Sequence, residues 1–268
     1  MAIPQYFQHA LDRAHPSWHG AIMQGLDAID AQFPDYLSTL STQGFLPTEQ
    51  RIFAAFSVPL DQVKFVLVGE GPYPRSASAT GYCFMDGAVA SLWSVGAKAG
   101  LSTAVNKATS LRNFMKMLLV ADQRLDLSAD YHRQIADIAH QAMACNSNAI
   151  ITLAQLQENF LSHGFLMLNA ALVFRESCKP ALEVRFWAPF LACILHALTY
   201  NQAQAAQPRT LILWGRLADQ LRKTIPLSGF KLACSEHPYN LSFIQNQSMQ
   251  TLFVSLNLLK KTDKLIVE

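Results

Sequence analysis

Charge is scarce in this chain. Of its 268 residues, 15% are Asp, Glu, Lys or Arg, against roughly 25% in an ordinary soluble protein. The apolar share is 51%, enough for a large core and for an apolar surface that faces a protein partner. The net charge is +2, which neither requires nor excludes nucleic acid, because a local basic patch attracts phosphate without a basic chain. Cysteine is sparse as well. Cys83, Cys145, Cys178, Cys193 and Cys234 are odd in number, scattered, and form no Cys-x-x-Cys pair. This argues against a disulfide framework, a zinc ribbon and an iron–sulfur cluster, so no metal or cofactor is expected and a reduced, cytoplasmic setting is. Long apolar runs are missing too. The longest, 165–174 and 186–198, are too short or too interrupted to span a bilayer. The N-terminus shows no basic start followed by an apolar core, so neither a signal peptide nor membrane association is expected. There is no internal repeat, no low-complexity tract, no Gly-x-Gly-x-x-Gly and no Gly-x-x-x-x-Gly-Lys, which leaves a generic nucleotide-binding protein without support.

What is present is an alternation of short apolar runs and helical periodicity. Residues 1–60 read as a helical N-terminal extension packed on the core. Trp18, Ile22, Leu26, Ile29 and Phe33 recur at helical spacing, and Thr48 can cap a helix carrying Ile52, Phe53 and Phe56. Residues 63–68 are apolar and β-branched and stop at Gly69, as a buried parallel strand does. Further strand-like runs lie at 165–168, 210–214 and 230–234. Helical patterns lie at 111–120, 129–144, 184–200, 217–224 and 248–259. The Gln/Ala-rich stretch 201–207 reads as a loop. Strands alternating with helices predict a three-layer α/β/α sandwich on a central, mainly parallel sheet of about four strands. That domain spans 61–259, and 260–268 form a tail in which Lys260, Lys261 and Lys264 are solvated. Oligomeric state is not legible.

Ligands of such sheets bind beyond the carboxyl ends of the strands, so the residues after each run carry the chemistry. The first run is followed by Gly69-Glu70-Gly71-Pro72-Tyr73-Pro74, where two glycines let the backbone turn and approach a ligand. The second ends in Asn169, whose amide donates and accepts at once and so can read a base edge. The third ends in Trp214-Gly215. The fourth is followed by His237-Pro238-Tyr239-Asn240-Leu241-Ser242, where a His can donate to a developing anion.

In this order the motifs resemble the uracil-DNA glycosylase superfamily. Its water-activating loop, Gly-Gln-Asp-Pro-Tyr-His, is similar to residues 69–74. Its stacking motif, His-Gly-Leu-x-Phe, resembles Thr80-Gly81-Tyr82-Cys83-Phe84. Its Ser-Leu-x-Asn phosphate-contact helix resembles Ser110-Leu111-Arg112-Asn113. Its Leu-Leu-Asn, Leu-Trp-Gly and His-Pro-Ser-Pro-Leu-Ser segments resemble 167–169, 213–215 and 237–242. The resemblance implies a DNA N-glycosylase of base excision repair that flips uracil, or a related deaminated base, out of DNA. Phe84 would stack on the base, Asn169 would bond its N3–H and O4, and Tyr73 would wall off a thymine methyl. His237 would donate to O2. Leu241 would fill the vacated space, and Ser110, Pro238 and Ser242 would meet the DNA.

Each role has a structural competitor. Phe84 can be a core aromatic, Asn169 can close a loop, His237 can be a turn residue, Leu241 can be a surface leucine and Ser110 can be a helix cap. The pattern also breaks. Gly71 stands where the family has its aspartate, Glu70 where it has glutamine, and Pro74 where it has histidine. Gly71 cannot orient water or support a cationic sugar with a side chain, so uracil excision is expected to be absent or slow. Glu70 is the carboxylate that can substitute. Branches of the superfamily that carry Gly-Glu-Ala-Pro-Gly here resemble this loop, but they hold a cluster that these cysteines do not match. The alternative is an inactive homologue that binds DNA, a base or a protein through the same cleft.

Overall fold

The computed structural model describes residues 3–200 and 208–262; the stretch 201–207 and Lys264 lie outside them. The chain divides into two compact units, each made of two segments: 1–86 with 164–234, and 87–163 with 235–268.

The first unit holds helices α1 (Gln5–Ala10), α2 (His19–Gln32) and α3 (Tyr36–Gln43), strand β1 (Phe65–Gly69), strand β4 (Phe165–Asn169), helix α8 (Pro180–Tyr200), strand β5 (Thr210–Trp214), helix α9 (Leu217–Thr224) and strand β6 (Lys231–Ser235). The sheet order is β4-β1-β5-β6. β1 pairs in parallel with both β4 and β5, in a register that sets Gly69 beside Asn169 and Val68 beside Leu213. This is the α/β fold with a mainly parallel four-stranded sheet that the alternating runs predict. β4 and β5 are buried along their whole length, which explains why they read as continuous apolar runs rather than alternating ones. β6 begins exposed at Lys231, as an edge strand does.

α2 packs along α8. By length and composition α8 is apolar enough to cross a membrane, a longer element than the run 186–198 suggests. Its apolar character has a local cause, since Trp187, Phe190, Leu191, Ile194, Leu195 and Leu198 are all buried. At its start Glu183 accepts hydrogen bonds from the Tyr36 hydroxyl (2.5 Å) and from Arg175 Nε (2.6 Å), and Trp187 Nε1 donates to the Tyr36 oxygen (2.8 Å). A buried carboxylate needs such partners. Arg209, also buried, donates to the carbonyls of Val63 (2.9 Å), Leu60 (3.2 Å) and Leu198, tying the entrance of β1 to the end of α8. Thr48 does not cap a helix. Arg51–Ser57 is a 3-10 helix entered at Gln50 in a left-handed conformation, and the Thr48 hydroxyl instead accepts from Arg51. Ile52, Phe53 and Phe56 are buried as expected.

The second unit contains a short antiparallel pair, β2 (Trp93–Ser94) and β3 (Gly100–Leu101), with helices α4 (Thr103–Lys107), α5 (Thr109–Ala121), α6 (Tyr131–Met143), α7 (Leu153–Ser162) and α10 (Gln247–Val254). Phe114, Phe160, Phe243 and Phe253 cluster in its core, with ring centroids 5.2–6.5 Å apart. Residues 260–262 are exposed, as a solvated tail is, and are also tied back to the unit. Asn159 Nδ2 donates to the carbonyls of Leu258 and Lys260, Lys260 Nζ donates to Asn257 Oδ1, and Lys261 Nζ to the Ser147 carbonyl.

Candidate active site

In the first unit, the ends of β1, β4 and β5 converge on one set of side chains. The ladder runs past the strands, since Ala170 N donates to the Gly69 carbonyl (2.7 Å) and Ala171 N to the Glu70 carbonyl (3.0 Å). Gly69 is required by close approach. A Cβ there would lie 2.8 Å from Asn169 Oδ1 and 2.9 Å from Cys83 Cβ. Asn169 Oδ1 and Cys83 Cβ therefore both lie against Gly69. Asn169 is only 3% exposed, yet its amide makes no hydrogen bond among the described residues. The amide atoms are not among the fully buried atoms that lack a partner, so they reach the surface, and no hydrogen bond among the described residues shows Asn169 closing a loop.

The loop that presents Phe84 is closed by an isolated antiparallel bridge between Ala79 and Asp86. The Thr80 hydroxyl ties its turn by donating to the Met85 carbonyl (3.0 Å). Gly81 has φ +90 and lies against the Arg51 carbonyl, where no side chain fits. Cys83 N donates to the Met167 carbonyl (3.0 Å) and Cys83 Sγ to the Leu67 carbonyl (3.3 Å), fastening the loop to β4 and β1. Phe84 itself has φ +66, a left-handed conformation costly for an aromatic residue. Its ring is partly exposed and meets Trp214 edge-on at 5.3 Å.

The water-loop residues are placed as follows. Glu70 and Gly71 are exposed, and the Glu70 carboxylate has no hydrogen bond or ion pair among the described residues. Gly71 is not in a left-handed conformation, so the conformational reason for glycine given by the sequence does not hold at this position. Tyr73 is half-buried, and its hydroxyl is pushed up to about 12, first by burial and then by the negative charge of Asp86. Asp86 is the residue that motif reading missed. It is 5% exposed, pairs with Arg75 at 3.3 Å, and its charge reaches Tyr73. The signal was available: an acid directly after the apolar Cys83-Phe84-Met85 run is out of place unless paired.

In the second unit, His237 opens a turn. Its Nδ1 accepts from Tyr239 N (3.1 Å), and its carbonyl accepts from Asn240 N (2.9 Å). With Nδ1 an acceptor, a neutral ring carries its proton on Nε2. His237 is thus a turn residue with a fixed tautomer in its neutral form. Tyr239 and Leu241 are 67% and 69% exposed, an unusual display of two large apolar side chains in one turn. Pro238, expected at the DNA surface, is buried instead. Its carbonyl, with those of Tyr239 and Asn240, accepts from the Asn113 amide at 2.8, 3.3 and 3.5 Å. Asn113 is fully buried and braces this turn from α5. Ser110 is not the cap of α5, because the capping position is Ala108. Its hydroxyl sits half-buried in the first turn, where backbone N–H groups favour anions. Ser242 is exposed in the short 3-10 turn Leu241–Gln245.

No protein-family model matches the chain. A uracil-DNA glycosylase from Mycobacterium avium is 26% identical over 85% of this chain and 82% of its own length, and one from Streptococcus mutans is 26% identical over 85% of each. The crystal structure of the wild-type UNG from Nitratifractor salsuginis superposes with a TM-score of 0.84 at 33% identity, covering 98% of this chain and 99% of its own. A mimivirus UNG in complex with UGI shares the fold at 20% identity and a TM-score of 0.52, covering 88% of this chain and 73% of its own. The chain belongs to the uracil-DNA glycosylase family.

Proposed function

We propose that this protein is a DNA N-glycosylase that hydrolyses the bond between deoxyribose C1′ and N1 of uracil, or of a related deaminated base, and does so slowly. The observation that carries the reading is Asn169: a residue 3% exposed whose amide has no hydrogen bond among the described residues, packed against Gly69 and Cys83 at the carboxyl end of a parallel sheet, with Phe84 held at φ +66 in the loop that Cys83 fastens. An amide there gives one acceptor to N3–H and one donor to O4, and cytosine reverses that pattern. Phe84 stacks on the flipped base, which is worth about 1–3 kcal/mol. Tyr73 closes the side where thymine carries its methyl. As the C1′–N1 bond breaks, its electron pair passes to the base and charge gathers on O2; His237 is the residue that the family resemblance assigns to donate to it. The oxygen of a water molecule then bonds to C1′, and a proton is left over. Gly71 has no group to orient that water or receive the proton, and Glu70 is the loop carboxylate that can.

The test is incubation with a uracil-containing oligonucleotide followed by cleavage at abasic sites. Slow release of uracil, abolished in Asn169→Ala and His237→Ala, is the expected result. No abasic sites after prolonged incubation at high enzyme concentration would leave a homologue that binds without catalysis.

A further inference from the structure

In the first unit, the four residues Gly71-Pro72-Tyr73-Pro74 make no hydrogen bond among the described residues, through backbone or side chain. Hydrogen bonds hold the segment only at its two ends. At one end the Glu70 carbonyl accepts from Ala171 N (3.0 Å), the last rung of the ladder that runs past β4. At the other end stands Arg75, which is bonded through both backbone and side chain. Its carbonyl accepts from Ser78 N (3.0 Å) and Ala79 N (2.9 Å), and its Nη2 donates to Asp86 Oδ2 (3.3 Å). Asp86 in turn closes the loop that presents Phe84, through its bridge to Ala79. Arg75 thus ties the stretch that carries Tyr73 to the stretch that carries Phe84.

What lies between the two ends is stiff. Each proline fixes its own φ, and Pro74 confines Tyr73 before it to extended backbone. The segment therefore shifts as one piece, with its joint at Gly71, the residue of the four without a Cβ. Whether the Tyr73 ring keeps its place is decided at Arg75. The charges of Arg75 and Asp86 both reach the Tyr73 hydroxyl, so the pair lies beside that ring. The pair is also lopsided: the side chain of Asp86 is 7% exposed and that of Arg75 69%. A fully exposed pair would be worth little. A carboxylate withdrawn from water and deprived of its cation is costly, and that cost falls on the state in which Arg75 has swung away. The guanidinium makes no other side-chain hydrogen bond or ion pair among the described residues, so none of them competes for it.

We propose that the Arg75–Asp86 pair is a clamp that sets how firmly this protein rejects pyrimidines with a methyl-sized group at C5, by holding Tyr73 in place. Both act through Tyr73 and are positioning residues. A wall excludes a methyl group only as far as it refuses to give. One such group is worth only about 10-fold to 200-fold in a pocket, so a modest loosening of this segment removes much of the discrimination. The clamp rests on the DNA-glycosylase reading and extends it from the residue that forms the wall to the pair that fixes it.

The experiment is single-turnover excision from oligonucleotides that differ only in the target base: uracil, 5-fluorouracil or 5-bromouracil. Bromine fills about the space of a methyl group, and fluorine is far smaller. The proteins are the wild type, Arg75→Gln, Arg75→Lys, Asp86→Asn and the double variant Arg75→Gln/Asp86→Asn. The effect of each halogen on the leaving base is common to all of them, so the ratio of the 5-bromouracil rate to the 5-fluorouracil rate, taken relative to the wild type, isolates the wall. That ratio is expected to rise about 10-fold in Arg75→Gln and in Asp86→Asn. The double variant shows the rise of one single variant and not the product of two, because both changes break one interaction. Arg75→Lys keeps a cation and holds the ratio near that of the wild type. Loss of fold alone would slow all three substrates together and leave the ratio unchanged. Where Asp86→Asn fails to fold, Arg75→Gln, at a largely exposed side chain, carries the test. If the ratio in Arg75→Gln equals that of the wild type while the wild type excises uracil, the clamp is wrong and the glycosylase reading stands. If the wild type releases none of the three bases, both readings fall.

Discussion

A Cβ built at Gly71 would meet only Ala171, at 3.8 Å from its carbonyl oxygen and 3.9 Å from its Cβ, and the backbone there is not left-handed. A side chain can therefore start from this position, the one where the resemblance sets the family's aspartate. Gly71→Asp is expected to raise uracil excision by about 10²-fold, the lower part of the range for a positioned acid or base. If Glu70 serves in its place, Glu70→Gln lowers the residual rate by a similar factor. Single-turnover kinetics on one uracil-containing oligonucleotide measures both, and robust wild-type excision that Glu70→Gln leaves untouched would overturn the assignment. At this scale motif order located Gly69, Phe84, Asn169 and His237 in the sequence, because each follows a run whose burial is legible. It could not show that Phe84 sits at φ +66, that Asn169 lacks a partner or that Asp86 is buried against Arg75. Those are products of packing between segments far apart in the chain.

The turn from His237 to Leu241 has no regular structure to hold it, and α5 supplies the support. One amide, that of Asn113, meets three successive carbonyls. The Ser-Leu-x-Asn pattern thus has its structural weight at the asparagine, a role that a phosphate-contact label hides. Asn113→Ala would leave buried carbonyls unpaired at a cost of about 1–3 kcal/mol. It is expected to lower the urea midpoint and, if the turn meets the DNA as the resemblance implies, to raise KM for duplex substrate more than it lowers kcat, since the turn loses its brace. Denaturant titration and steady-state kinetics check this; an unchanged KM would show that the turn holds itself. Elsewhere, element-scale signals were uneven. The run 210–214 gave β5 with its exact bounds because strong β-formers end at Trp214-Gly215. Helix α7 was passed over although its signature is local: Thr152 and Gln155 form a capping box at its start. Lys260 and Lys261 are exposed, as the tail reading has them, but their hydrogen bonds to Asn257 and Ser147 cannot be read from charge alone.

Neither unit is continuous in sequence, and the junctions at 86–87, 163–164 and 234–235 fall where composition does not change and no linker marks them. The first sixty residues, which carry no recognised motif, are built into the first unit. The Arg51 carbonyl backs Gly81 and the Ser57 hydroxyl meets that of Tyr82 at 3.1 Å, so they support the loop that presents Phe84. The Nitratifractor salsuginis structure matches across 98% of this chain, these residues included. This way of building the site concentrates weak acids in apolar surroundings, which sets how the whole molecule responds to alkali. The Cys83 thiol is raised from its ordinary 9.0 by burial, and Tyr73 is pushed up to about 12 by burial and Asp86. Tyr36 is raised from 10.0 by burial and by its hydrogen bond to Glu183. Each group holds its proton more firmly in the folded chain than in the unfolded one. Below about pH 9 both states are protonated and the full stability is present. As pH climbs past 9 for Cys83 and past 10 for the tyrosines, the unfolded chain ionises first, and stability falls by up to about 1.4 kcal/mol per pH unit for each such group. Lys116, pressed down by burial, works in the opposite sense, but its half-exposed side chain makes that contribution the smaller one. Urea midpoints are therefore expected to hold from pH 7.5 to about 9 and to drop steeply by pH 10.5. Cys83→Ser keeps a donor toward the Leu67 carbonyl but does not titrate, so the onset of the drop should move up toward pH 10. A midpoint that stays level from pH 8.5 to 10.5 in the wild type would mean that these groups reach solvent, and that the packing around Cys83 and Tyr73 is looser than the site requires.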